Sequence, residues 1–385
     1  MTSMIMQHSA GDLSVAPELF PWRDLAAQDR SLREEIRRAV DAVLASGRYI
    51  GGPEVEALEA ELASSLGVAH VVTVNSGTDA LALILRAAGI AQGDEVIVPS
   101  YTFVATATAV ASCAQPVFAD SLPDDFCIDP ASVEAAITPR TRAVVAVHLF
   151  GRAADMQALS ALCRRRHLLL IEDAAQAFGA RDRDRAVGSL GTAAAFSFYP
   201  TKNLACAGDG GAVSTNDAQL AATVRSLRAH GFGSSSTVER LGTNSRLDAV
   251  QAAILRVKLP HVAKGNAARR ALAAAYRTGL TGTRARTPHP TPQAEHVYHQ
   301  FAITHPSRDE LRTHLTQRGI PSMVYYETPC HRQPYFTNAR TPALPNADAW
   351  SRTALALPIY PELSPASIAA VCKAVHEFET TRGGS

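Results

Sequence analysis

Apolar residues along the chain follow two rhythms. SLREEIRRAVDAVLASG (31–47) and PEVEALEAELASSLG (53–67) place them at the three-and-four spacing of one helix face. From His70 onward, short runs that are apolar throughout alternate with helical segments. HVVTV (70–74) precedes TDALALILRAAG (78–89), and DEVIVP (94–99) precedes FVATATAVASC (103–113). PVFA (116–119) follows, then RAVVAVHLF (142–150) with AADMQALSALCRRR (153–166), then LLLIED (168–173). AAFSF (194–198) and GAVST (211–215) predict further strands, with helices over 217–230 and 246–259. Strands with no polar face, alternating with helices, predict an α/β fold: a mostly parallel sheet covered on both faces. From about Gly265 a second, smaller α/β unit is expected. Within it TGTRARTPHPTP (281–292) reads as a polar, proline-rich loop. The expected layout is a loose extension over 1–20, a large domain over 21–264 and a small one over 265–385.

In open α/β sheets ligands bind beyond the carboxyl ends of the strands. Here those ends carry NSGTD (75–79), PSYTF (99–103), HLFG (148–151), EDAAQ (172–176) and FYPTKN (198–203), so these segments converge on one rim. Gly77 and Thr78 open a helix after a strand, where free amides and the helix dipole suit an anion such as a phosphate; a plain N-cap by Ser76 or Thr78 is the alternative. Asp173 closes its strand beside Glu172, as a helix cap or as a site carboxylate. Gln176 follows one turn later. Phe103 is either a core aromatic or a flat plate at the rim. Ser197 and Tyr199 bracket the strand end before Lys202. The other lysines are Lys258, Lys264 and Lys373, because arginine fills nearly every other cationic position. A lysine amine can lose its proton and attack a carbonyl, which arginine does not. The run GDGG (208–211) precedes a strand, so it is no dinucleotide fingerprint.

Composition narrows the field. The 385 residues are 46% hydrophobic and 19% charged, with a formal net charge of +1, so no footprint for nucleic acid is present. The six cysteines are scattered without a Cys-x-x-Cys pair, which argues for a reducing compartment and against a disulfide framework or zinc site. The opening MTSMIMQHSAGDLSVAPELF lacks the pattern of a signal peptide, and no apolar run is long enough to span a bilayer. The expectation is a soluble cytoplasmic protein. A phosphate cradle, a carboxylate, an aromatic plate and a reactive lysine at one rim suit pyridoxal 5'-phosphate (PLP). No His-Glu-x-x-His cluster supports a metal site, and no Gly-x-Ser-x-Gly elbow supports a hydrolase.

SGTDAL, PSYTFVATA, EDAAQAFGA, FSFYPTKN, GDGGAV and GTNSRLDAVQAAIL together resemble the DegT/DnrJ/EryC1/StrS family of PLP-dependent nucleotide-sugar aminotransferases, in order and spacing, from about Pro21 to the C-terminus. The resemblance implies the fold-type I, aspartate aminotransferase-like architecture: a large, mostly parallel seven-stranded domain, a small C-terminal domain, and a homodimer with shared active sites. It implies Lys202 as the Schiff-base lysine and proton shuttle, Asp173 as partner of the pyridinium nitrogen, and Gln176 as partner of the ring hydroxyl. Phe103 would stack on the ring. Gly77, Thr78 and Ser197 would hold the phosphate, with Asn244 reaching it from the other subunit. Tyr199, Tyr325, Tyr326 and His331 are candidates to orient the sugar, with ordinary loop packing as the alternative. The implied reaction is ping-pong transfer from L-glutamate to a keto-sugar nucleotide. FSFYPTKN followed by GDGG resembles the branch that aminates C3 of dTDP-3-keto-6-deoxyhexoses, giving 3-amino-3,6-dideoxy sugars. Three departures point toward the sugar and nucleotide: Ala205-Cys206-Ala207 for Gly-Ala-Leu, Tyr325-Tyr326 for His-Tyr, and no lysine in GFGSSST (231–237). A C4 aminotransferase, one for another aminated metabolite, and a non-catalytic regulator are the alternatives.

Overall fold

The computed structural model describes residues 18–233, 237–290 and 294–383. The start of the expected loose extension, the middle of GFGSSST and the end of the proline-rich loop lie outside the described residues.

Seven strands form the main sheet, in the spatial order His70–Val74, Gly211–Thr215, Ala193–Ser197, Leu169–Asp173, Thr141–Val147, Glu95–Pro99, Gln115–Ala119. Six run in one direction; Gly211–Thr215 runs antiparallel to both of its neighbours. The strands are buried nearly throughout, as their unbroken apolar runs require. One core packs Val96, Val98 and Val145 against Leu81, Leu85 and Leu159. The other covers the opposite side with Leu58, Leu62 and Leu255. Each such side chain taken from water contributes about 1.5–3 kcal/mol.

The helix Val262–Gly279 runs across the expected boundary at Gly265. Its first residue, Val262, joins the large unit's core, whereas Ala273 and Tyr276 belong to a third core built on Phe301, Leu311, Leu355 and Val375. That C-terminal core surrounds an antiparallel pair, Phe301–Thr304 and Ala354–Leu357. A small three-stranded sheet was not anticipated: Arg181–Asp182 pairs with Arg185–Ala186 and with Ala294–Glu295. Strands of two residues are too short to show a period in sequence.

The register of the antiparallel strand shapes the rim. Gly211 lies opposite both Val74 and Ser197. The GDGG run thereby sets the end of one parallel strand beside the turn that follows another. A Cβ on Gly211 would collide with the backbone of Ser76, so only glycine permits that approach.

Candidate active site

The rim is assembled from the ends of these strands. Ser76 caps the helix Gly77–Ala87, its Oγ accepting from Asp79 N at 3.1 Å. The N-cap reading by Ser76 therefore holds; the amides of Gly77 and Thr78 before it are where an anion would be met. Gly77 presses against Ser197, where an added Cβ would come within 2.8 Å of the serine Cβ. The start of the helix and Ser197 therefore lie side by side, and the Ser197 hydroxyl accepts from Tyr199 N at 3.4 Å.

Two adjacent carboxylates close the strand Leu169–Asp173, and pleat alternation sends them to opposite faces. Glu172 accepts from the amides of Gly188, Leu190 and Gly191, each at 2.7 Å, and from His148 Nε2 at 3.0 Å. His148 Nδ1 accepts from Ala154 N at 3.1 Å, which places the ring proton on Nε2. Glu172 is saturated and structural. Asp173 is also buried, but among the described residues it accepts only from Thr106 Oγ1 at 2.7 Å and Ala175 N at 3.1 Å. With about four acceptor sites on a carboxylate, it keeps capacity for a further donor.

Thr106 ties that carboxylate to the aromatic plate, since its amide bonds the Phe103 carbonyl at 3.2 Å. Phe103 is 51% exposed, which rules out the core-aromatic reading. Tyr326 approaches it at 6.1 Å between ring centroids, and its hydroxyl accepts from Gln176 Nε2 at 3.1 Å. Gln176 Oε1 accepts from Phe150 N at 2.8 Å, fixing the amide's orientation and leaving one N–H unengaged. Buried Tyr101 holds the other side of this loop: its hydroxyl donates to the Tyr325 carbonyl and accepts from Tyr326 N at 3.0 Å. Burial pushes the Tyr326 phenol well above its ordinary pKa, so it stays protonated.

Lys202 sits on a tight turn, its amide bonding the Tyr199 carbonyl at 2.8 Å. Its side chain is partly buried. Burial lowers the amine to about 8, against the attraction of Asp173 and assisted by the like charge of Arg23. Tyr199 is 43% exposed beside it.

Other expected positions fall at the edges. His331 shares a hydrogen bond of 2.5 Å with Ser100 Oγ and lies 3.5 Å from Asp348, so it anchors its loop to the strand end. Asn244 is exposed, while neighbouring Ser245 bonds Asp79 Oδ2 at 2.6 Å and Asn75 N at 3.2 Å, at the shoulder of the cradle. Ala205 and Cys206 are buried and Ala207 is exposed. Sequence reasoning missed Thr106, Tyr101, Trp22 and Arg23. Trp22 stands 6.5 Å from Tyr325 between ring centroids. Arg23 donates to the Thr201 carbonyl at 2.7 Å and the His299 carbonyl at 3.1 Å. A threonine three residues after Phe103 was a readable signal; an arginine in the segment before the first long helix was not.

The donor set fits PLP: a glycine-built anion cradle, an open aromatic face, a carboxylate with spare acceptor capacity and an amine of lowered pKa. Among the described residues no helix is long and apolar enough to cross a membrane. The chain matches the model of the DegT/DnrJ/EryC1/StrS aminotransferase family over residues 30–376. It is 48% identical over 362 residues to the dTDP-3-amino-3,4,6-trideoxy-alpha-D-glucose transaminase of Streptomyces venezuelae, covering 93% of this chain and 96% of that one. It is 45% identical to a protein of Geobacillus stearothermophilus named a pleiotropic regulatory protein, over 93% of this chain and 98% of that one. The solved structure of S. venezuelae DesV matches with a TM-score of 0.91 at 47% identity, over 94% of this chain and 99% of that one. The chain therefore belongs to the DegT/DnrJ/EryC1/StrS aminotransferase family and is a PLP-dependent aminotransferase of fold type I.

Proposed function

We propose that this enzyme transfers the amino group of L-glutamate to the C3 carbonyl of a dTDP-linked keto-deoxyhexose. One observation carries the reading: a lysine amine lowered to about 8 shares a rim with a buried carboxylate that has acceptor capacity to spare. The sugar class is supported by the name of the S. venezuelae relative and by FSFYPTKN followed by GDGG.

The roles follow from the chain's own groups. The amides of Gly77 and Thr78 with Ser197 Oγ would hold the cofactor phosphate, Phe103 would cover the ring, and Gln176 would offer its remaining N–H to the ring hydroxyl. Asp173, braced by Thr106, would accept from the protonated ring nitrogen. When bound, PLP supplies the electron sink that lets a proton leave the donor's Cα. Lys202 Nζ would be the group that takes that proton and carries it. With an amine at about 8, about a tenth of it is neutral at pH 7, against about one part in three thousand at an ordinary lysine pKa. Tyr199, Tyr325 and Tyr326 orient the sugar, and His331 holds the loop that carries the tyrosine pair.

A homodimer with shared sites completes this reading. The arm leading to Asn244 exposes Phe232, Val238 and Leu241 to 46%, 62% and 85%. An apolar arm beside an exposed asparagine suits burial against a second copy, with Asn244 reaching the partner's cradle. The name of the G. stearothermophilus relative keeps the regulator reading in view, but a regulator has no need of Lys202, Asp173, Gln176 and Ser197 together. The deciding assay measures amine formation from glutamate with a panel of 3-keto and 4-keto dTDP-sugars. Turnover confined to 3-keto substrates is expected; turnover confined to 4-keto substrates, or none, refutes the assignment.

A further inference from the structure

Arg23 comes from the segment before the first long helix, and the backbone there is anchored on both sides. Leu19 N bonds the Gly319 carbonyl at 2.8 Å, and Asp24 caps the short helix Leu25–Gln28 by accepting from Ala27 N at 2.8 Å. The guanidinium then reaches two separate parts of the molecule. It bonds the carbonyl of Thr201, the residue before Lys202, and the carbonyl of His299 in the C-terminal unit. A planar fork can serve two carbonyls at once, which a lysine ammonium on a flexible stem does poorly.

Among the described residues no carboxylate lies within ion-pair distance of Arg23. Its guanidinium is partly buried and bonds two neutral carbonyls, so its charge is hydrogen-bonded but not cancelled by a neighbouring carboxylate. Two charged groups act on Lys202: Asp173 from its strand and Arg23 from the N-terminal segment; Arg269 acts on Arg23 and is offset by Glu362. His299 is the remaining titratable neighbour. Burial pushes its pKa well below the ordinary value, so it carries no charge near neutrality; its Nδ1 meets Asn203 Oδ1 at 3.2 Å.

We propose that Arg23 is a positioning residue for Lys202, tying the lysine turn to the 296–300 segment and setting a fixed positive charge beside the amine. The inference rests on Lys202 being the reactive amine. The charge acts on protonation: it opposes a second cation nearby, so the amine reaches its neutral form at lower pH. An arginine suits this part because it does not titrate, and the effect is constant across the working range.

The test is competitive labelling of amines across pH on full-length protein stripped of cofactor with hydroxylamine. Lys202 is followed by peptide mass, with exposed Lys373 as internal reference. R23Q should move the Lys202 midpoint to higher pH and reduce its labelling at pH 7 by roughly threefold, the effect of about half a pH unit. R23K should restore the midpoint while loosening the turn, seen as faster hydrogen exchange at 201–203. An unchanged midpoint in R23Q overturns the proposal, as does an equal shift in both variants. Failure of both to fold, judged by circular dichroism, overturns it too, because it would make Arg23 a general structural clamp. The labelling needs neither cofactor nor substrate. PLP trapped on another lysine would therefore sink the reading of Lys202 while leaving the measured effect of Arg23 intact.

Discussion

Replacing Thr106 by valine removes one hydroxyl and preserves shape. In the wild type that hydroxyl donates to buried Asp173 Oδ2 at 2.7 Å, and among the described residues one other donor, Ala175 N, reaches the carboxylate. A hydrogen bond to a charged group contributes about 1.5–3 kcal/mol. If that energy is expressed fully in the transition state, the rate falls by about 13- to 160-fold, at about 1.36 kcal/mol per factor of ten. The carboxylate also becomes free to turn away from the ring nitrogen it should face. The rate is read in a single-turnover reaction with glutamate alone, by the absorbance change as the pyridoxamine form of the cofactor accumulates. T106S retains the hydroxyl and should recover most of the rate. Melting should drop by no more than about 10 °C, since valine fills the same space. A T106V enzyme with wild-type rate, or a T106S enzyme as slow as T106V, would refute the claim that Thr106 braces Asp173.

Gly211→Ala drives a methyl into the backbone of Ser76, so it should weaken cofactor binding at least tenfold by fluorescence titration; unchanged affinity would mean the cradle tolerates the shift. Cofactor capture by the stripped protein should speed up as pH rises through about 8, because only the neutral Lys202 amine attacks and its protonated form predominates below that value. A flat profile between pH 6 and pH 9 would contradict the lowered pKa. Heterodimers of Lys202→Ala and Asn244→Asp subunits should recover activity, since one site then receives neither lesion; verified heterodimers without activity would show that each subunit's site is self-contained.

Much of the sheet was legible because buried parallel strands leave unbroken apolar runs, and LLLIED and HVVTV lie close to where those runs place them. The rim was legible for the same reason: strand ends point one way. The family resemblance singled out Asp173, but strand position alone gave no physical reason to prefer it to Glu172. That distinction needed the 188–191 segment, whose amides fold back to occupy Glu172. Phe103 likewise had two readings until its exposure was known. Arg23 and Trp22 were invisible because they lie far along the chain from Lys202, in a segment with no period or motif. Tyr101 hid as an ordinary core aromatic; only the approach of the 325–326 loop gives its hydroxyl a purpose.

The central claim is that Lys202 is the residue that binds the cofactor covalently and moves the proton. Borohydride reduction of the purified enzyme, followed by proteolysis and mass mapping, tests it most directly. The account predicts a phosphopyridoxyl adduct on the peptide containing Lys202, absent from Lys202→Ala protein that still folds. An adduct on Lys258, Lys264 or Lys373, with Lys202 unmodified, would contradict it.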